Sequence, residues 1–223
     1  MFHFKICCIQ DVSEAEMALL AGARAVGLVG PMPSGPGPIH FRDMAPIMEF
    51  INNKVETFLL SSKTKSSEII EEHSRVGSSA IQLVDAVSIE TCKKLRAKLN
   101  EVKLVQVIHV MDKHSIEQAK EMAPYVDELL LDSGNPGLAV KQLGGTGKVH
   151  NWEISRELVQ LVDIPVWLAG GLNPENVERA IETVKPYGVD VCSGLRKNGA
   201  LMKNRLQRFA RNVNRFVGGS RIT

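Results

Sequence analysis

Short apolar runs alternate with longer amphipathic stretches from one end of the chain to the other. Phe2 to Ile9 reads as a strand. Ser13 to Ala21 then has helical spacing, with Ser13 as N-cap and Gly22 just past its end. Ala25 to Val29 is a second strand, and a loop rich in Pro and Gly follows from Gly30 to Pro38. The same rhythm predicts a helix over Arg42 to Asn52, a strand over Val55 to Leu60 and a helix over Ser66 to Arg75 ending at Gly77. Ser79 to Leu83, Lys103 to Val110 and Val126 to Asp132 are further strands, separated by helices over Ser88 to Leu99 and Ser115 to Met122. Trp152 to Leu161 is helical, Pro165 to Ala169 is a strand, and the next helix starts with Asn173 as N-cap and Pro174 at its first position. Strand Gly188 to Cys192 and a helix from Lys203 to Phe216 complete eight strand–helix pairs.

Unbroken alternation of this kind needs a parallel sheet with right-handed crossovers. Eight pairs suit a closed α/β barrel of the (β/α)8 TIM type better than an open doubly wound sheet, although 223 residues is near the short end for it. The expected organisation is one domain over residues 1–217 and a C-terminal tail over 218–223. No G-x-G-x-x-G follows the first strand and no P-loop occurs, which argues against dinucleotide or nucleoside triphosphate binding.

Composition narrows the partners. With 44% apolar and 23% charged residues the chain reads as an ordinary soluble globular protein, and a net charge of +2 gives no basis for nucleic-acid binding. The basic residues from Lys203 to Arg215 fall at the spacing of a solvated helix face. No signal-peptide pattern and no membrane-spanning apolar run are found, so a cytoplasmic protein without membrane partners is expected. The four cysteines (Cys7, Cys8, Cys92, Cys192) form no CxxC and show no metal-ligand spacing with His, which reads as reduced thiols and no metal site.

The chemistry concentrates late in the chain. Glycine just past a buried strand lets backbone N–H groups approach an anion, and in (β/α)8 barrels phosphate commonly binds after strands seven and eight. Three loops qualify: Gly144-Gly145 after strand six, Gly170-Gly171 after strand seven, and Cys192-Ser193-Gly194 after strand eight. Together they predict a phosphate-bearing small molecule held at the C-terminal rim of the barrel.

These segments carry a family resemblance. Lys5-Ile6-Cys7, Leu131-Asp132-Ser133 with Gly144-Gly145-Thr146-Gly147-Lys148, Leu168 to Val177, and Tyr187 to Gly194 resemble, in order and spacing, the motifs of the phosphoribosylanthranilate isomerase family of tryptophan biosynthesis. The resemblance is strongest over residues 1–29 and 126–194. It implies a (β/α)8 barrel catalysing an Amadori rearrangement, the conversion of an aldose-derived amine to a ketose-derived one, with a phosphosugar substrate, no cofactor, and a monomeric or homodimeric state. It also implies a thiol general base at Cys7 and a carboxyl general acid at Asp132. The residue pattern agrees, since both fall at the ends of strands on the catalytic rim. Acting at neutral pH requires the thiol to shift down from ~8.5 and the carboxyl up from ~4. Lys5, two residues before Cys7, faces the same side of the strand, with Asp190 as its expected partner. Cys8, where the family has glycine, is expected to face away and pack under a helix.

Four departures concern the aromatic half of the substrate. The loop Gly30–Pro38 lacks the arginine that the family uses for the anthranilate carboxylate, and the nearest is Arg42. The family's Q-L-H-G becomes Gln82-Leu83-Val84-Asp85, leaving Gln82 as a substrate-binding candidate. Its V-N becomes Leu60-Ser61, and the glutamate after S-S-G is replaced around Arg196. Two alternatives follow: another phosphosugar enzyme on this barrel, such as an epimerase or aldolase, or a phosphate-binding barrel with altered substrate or lost activity.

Overall fold

The computed structural model of the chain describes residues 2–33, 35–135, 137–138, 141, 143–144, 147, 149–217 and 220–221. Its eight parallel strands are β1 (His3–Ile6), β2 (Ala25–Val29), β3 (Glu56–Ser61), β4 (Ala80–Leu83), β5 (Lys103–His109), β6 (Glu128–Asp132), β7 (Val166–Leu168) and β8 (Gly188–Val191). They close as a barrel in sequence order, β8 pairing back onto β1 with Lys5 opposite Asp190. Between them run α1 (Val12–Leu20), α2 (Phe41–Ile51), α3 (Ser66–Val76), α4 (Ile89–Lys98), α5 (His114–Met122), α6 (Trp152–Leu161) and α7 (Val177–Val184), with α8 (Lys203–Val213) last.

Almost every strand residue is buried, because one face meets the barrel interior and the other the helices. Outward residues such as Phe4, Ile6, Leu104 and Ile108 pack with the helices, whereas Phe58, Val105, Leu130 and Trp167 fill the interior. Trp167 closes the bottom of the barrel. Its Nε1 donates to the buried Glu128 carboxylate at 2.7 Å, and its ring leaves no room at Gly188, where a Cβ would stand 2.6 Å from it.

Several boundaries differ from the sequence expectation for local reasons. Helix α1 is capped by Asp11, whose Oδ1 accepts from the Glu14 N–H at 2.9 Å, two residues before Ser13. Asn173 accepts from the amides of Glu175 and Asn176 in a turn ahead of α7, so the helix itself begins at Val177. Helix α8 stops at Val213. Short strands β9 (Arg196–Lys197) and β10 (Ala200–Leu201) precede it, and β11 (Phe216–Val217) pairs with β12 (Ser220–Arg221) after it. Among the described residues no helix is long and apolar enough to cross a membrane.

Candidate active site

A cavity opens at the C-terminal end of the barrel. Of the residues singled out from sequence, it brings together Cys7, Gln82, Asp132, Gly144, Gly170, Gly171, Cys192 and Ser193. Gly194 is set just behind, with the β8 loop resting on the β7 loop: a Cβ on Gly194 would run into the Leu172 carbonyl. Gly145 lies outside the described residues, as do Thr146 and Lys148. Arg42 is not brought to the cavity. It stands in the first turn of α2 with its side chain 82% exposed and pairs with its neighbour Asp43 at 3.5 Å. No Lys or Arg lines the cavity among the described residues.

Cys7 follows β1, where its N–H donates to the Val191 carbonyl of β8 at 2.9 Å, and it is buried. Two positions earlier Lys5 lies wholly inside the barrel, 3.0 Å from Asp190. Burial opposes the lysine's charge, but the adjacent carboxylate overcomes it and Lys5 is raised above its ordinary value. The Cys7 thiol is lowered: hydrogen bonding with Cys8 does most, and the Lys5 charge adds to it against the effect of burial.

Asp132 ends β6, in register with His109 on β5. Burial pushes its carboxyl upward, partly offset by the Ser133 N–H, which donates to Oδ1 at 2.7 Å. Gly144 lies directly over the carboxylate. Its φ of +121° suits glycine, and a Cβ there would collide with Asp132 Oδ2. Both shifts thus run in the directions that a thiol base and a carboxyl acid need. The loop after β7 is equally constrained. Gly170 (φ +82°) and Gly171 (φ +62°) are both left-handed, and the side-chain amides of Asn173 and Asn176 donate to the Gly171 carbonyl.

Three placements depart from the sequence reading. Cys8 does not pack under a helix; its backbone is left-handed (φ +63°), and this turn breaks the strand alternation and returns the thiol to the cavity. The signal was the family's glycine at this position. Arg196 does not border the aromatic half. It is buried beneath the β1 loop, donating to both oxygens of Glu14 and to the carbonyls of Cys7, Cys8 and Gly199. Asp85, in the family's glycine position, is buried and pairs with Lys141 of the loop after β6 at 2.5 Å.

Comparison with known proteins agrees with this architecture. The family model described as N-(5'-phosphoribosyl)anthranilate (PRA) isomerase matches residues 50–212. The N-(5'-phosphoribosyl)anthranilate isomerase of Haloarcula marismortui is 32% identical, over 99% of this chain and 100% of the relative. The crystal structure of the Thermotoga maritima phosphoribosyl anthranilate isomerase superposes with a TM-score of 0.83 at 28% identity, over 97% of this chain and 100% of that one. A phosphoribosyl anthranilate isomerase solved in complex with reduced 1-(o-carboxyphenylamino)-1-deoxyribulose 5-phosphate gives 0.81 at 25% identity, with the same coverage. The chain belongs to the N-(5'-phosphoribosyl)anthranilate isomerase family.

Proposed function

We propose that Cys7 and Asp132 are the base and acid of an Amadori rearrangement of N-(5'-phosphoribosyl)anthranilate, the isomerisation that serves tryptophan biosynthesis. The observation that carries this reading is a single cavity holding a thiol shifted downward, a carboxyl shifted upward, and glycine loops after β7 and β8. The chain is an intramolecular isomerase interconverting an aldose and a ketose. A barrel that merely binds phosphate is not favoured.

The chemistry needs two proton movements. Asp132 in its protonated form donates to the ring oxygen of the ribose, which opens the ring and leaves an iminium at C1′. The Cys7 thiolate then removes the C2′ proton, giving an enolamine that tautomerises to the 2′-ketone. The buried Lys5–Asp190 pair keeps a positive charge behind Cys7, and Gly144 packs against the acid. The phosphate is assigned to the backbone of Gly170, Gly171, Ser193 and Gly194, with Gly144 at its edge and the Cys192 backbone beside it. Gln82, 4% exposed with Oε1 unpartnered, is assigned to the aromatic half of the substrate. Arg42 takes no part. We read the active chain as a cytoplasmic monomer or homodimer formed by the single barrel.

Complementation of a tryptophan auxotroph lacking this isomerase tests the proposal, with Cys7→Ser and Asp132→Asn as controls. Growth is expected from the wild type alone. No growth from a well-expressed wild type overturns the substrate assignment, and growth from either variant overturns the corresponding role.

A further inference from the structure

Three of the chain's four cysteines meet in the cavity: Cys7 and Cys8 after β1, and Cys192 after β8. The mechanism above uses one thiol. We propose that Cys8 and Cys192 form a resolving pair for oxidation of Cys7, so that the oxidising equivalents of a peroxide end in a Cys8–Cys192 disulfide bridging β1 and β8. The assignment of Cys7 rests on the proposed function; the convergence of the thiols does not.

Cys7, Cys8 and Cys192 line one cavity wall, and the influence of the Cys7 and Cys192 thiols, with burial, raises the Cys8 thiol above its ordinary value. The ends of β1 and β8 run side by side in register, with the Cys7 N–H on the Val191 carbonyl. Continuing that register sets Cys7 opposite Cys192 and Cys8 one step along. A strand spacing of about 4.8 Å and a rise of about 3.3 Å give such a diagonal neighbour a Cα separation of about 5.8 Å, which a disulfide accepts.

Cys8 is also held in a conformation that disfavours its side chain. A left-handed φ of +63° is natural for glycine, the residue the family resemblance places here, and strained for cysteine. The surroundings are shaped to keep it: a Cβ on Gly37 would stand 2.5 Å from the Cys8 Cβ, and the Cys8 S–H donates to the Pro36 carbonyl at 3.6 Å. A second thiol is thus retained beside the reactive one at a position where glycine would fit without strain.

The steps balance with hydrogen peroxide as oxidant. The Cys7 thiolate attacks one peroxide oxygen, the O–O bond breaks, and hydroxide leaves to take up a proton, giving a sulfenic acid at Cys7. The Cys8 sulfur then attacks the Cys7 sulfur. The S–O bond breaks, and the hydroxyl departs as water with the Cys8 proton. The resulting bond joins adjacent residues, and the Cys192 thiolate displaces Cys7 from it as a thiolate. In sum two thiols become one disulfide, peroxide becomes two waters, and Cys7 is returned in its reduced form.

The test treats the full-length protein with a slight excess of hydrogen peroxide, alkylates it with iodoacetamide and digests it with trypsin. Wild type is expected to yield residues 6–24 linked to residues 180–196, with the alkyl group on Cys7, and to lose the link in dithiothreitol. Cys8→Gly is expected to give no link and to carry Cys7 on to the sulfinic acid. A link that persists in Cys8→Gly, a bond confined to residues 6–24, or sulfinic acid at Cys7 without a link in wild type overturns the proposal. The readout is a mass, so a chain that forms the link without turning over phosphoribosylanthranilate separates this inference from the proposed function.

Discussion

Arg196 and Glu14, 182 residues apart, meet as a buried two-pronged ion pair, and the same guanidinium takes the carbonyls of Cys7 and Cys8. The side chains are 6% and 7% exposed. The pair therefore ties the loop that carries the proposed base to the chain leaving β8. Removing one partner of such a buried pair costs about 3–5 kcal/mol, chiefly because the other charge is stranded. Arg196→Met is expected to lose stability in that range in urea unfolding and to lower kcat. Adding Glu14→Gln should restore part of the stability, because no carboxylate is then left buried without its cation. Equal stability of Arg196→Met and wild type contradicts the clamp.

The Lys5–Asp190 pair gives a pH prediction. With the proposed roles, activity needs Asp132 protonated and Cys7 ionised, so it rises with pH up to the acid's pKa, is level between the two values, and falls above the base's. The height of the plateau grows as the two values approach each other, which is the direction of both shifts. Lys5 lowers the Cys7 thiol more than Asp190 raises it. In Lys5→Met/Asp190→Asn, which leaves no orphaned charge, the high-pH limb of kcat/KM should move upward and the plateau should drop by more than that factor, because Asp190 also raises Asp132 more than Lys5 lowers it. An unmoved limb removes Lys5 from the tuning of Cys7.

The two ends of the cavity should separate kinetically. A methyl at Gly144 meets the Asp132 carboxylate, so Gly144→Ala is expected to act mainly on kcat. A methyl at Gly194 pushes the β8 loop off the β7 loop, so Gly194→Ala is expected to act mainly on KM. Losing one charge-assisted contact corresponds to about 1.5–3 kcal/mol, roughly 10- to 150-fold in affinity. Steady-state kinetics of the two variants decide the matter. A KM effect confined to Gly144→Ala would reverse the assignment of the ends.

Much of this was legible in the sequence because it depends on periodicity and strand ends. Buried apolar runs place Cys7 and Asp132 at the rim whatever the details of packing, and alternation within β1 puts Lys5 opposite Asp190. What was not legible depends on long-range contacts or on a single dihedral. Cys8 departs from the alternation because of one left-handed residue, and nothing local marks Arg196 as the partner of Glu14. Arg42 was a candidate by proximity in sequence alone, and helix α2 carries it into solvent.

The last prediction concerns stability below neutrality. His150, before α6, faces the Ser155 hydroxyl through Nε2 at 2.8 Å, and its Nδ1 would stand 2.9 Å from a Cβ on Gly170. Burial lowers its pKa to about 4 from 6.5. The folded state therefore resists a proton that the unfolded chain accepts, so the contribution is complete above pH 6.5, falls as pH drops toward 4, and changes no further below that. The whole effect is at most about 3 kcal/mol. His150→Gln keeps a hydrogen-bonding side chain without the titration. The stability difference between wild type and this variant, measured by urea unfolding, should shift steadily against the wild type between pH 6.5 and pH 4. A difference that stays constant across that interval would mean that His150 is protonated as readily in the folded barrel as in the unfolded chain.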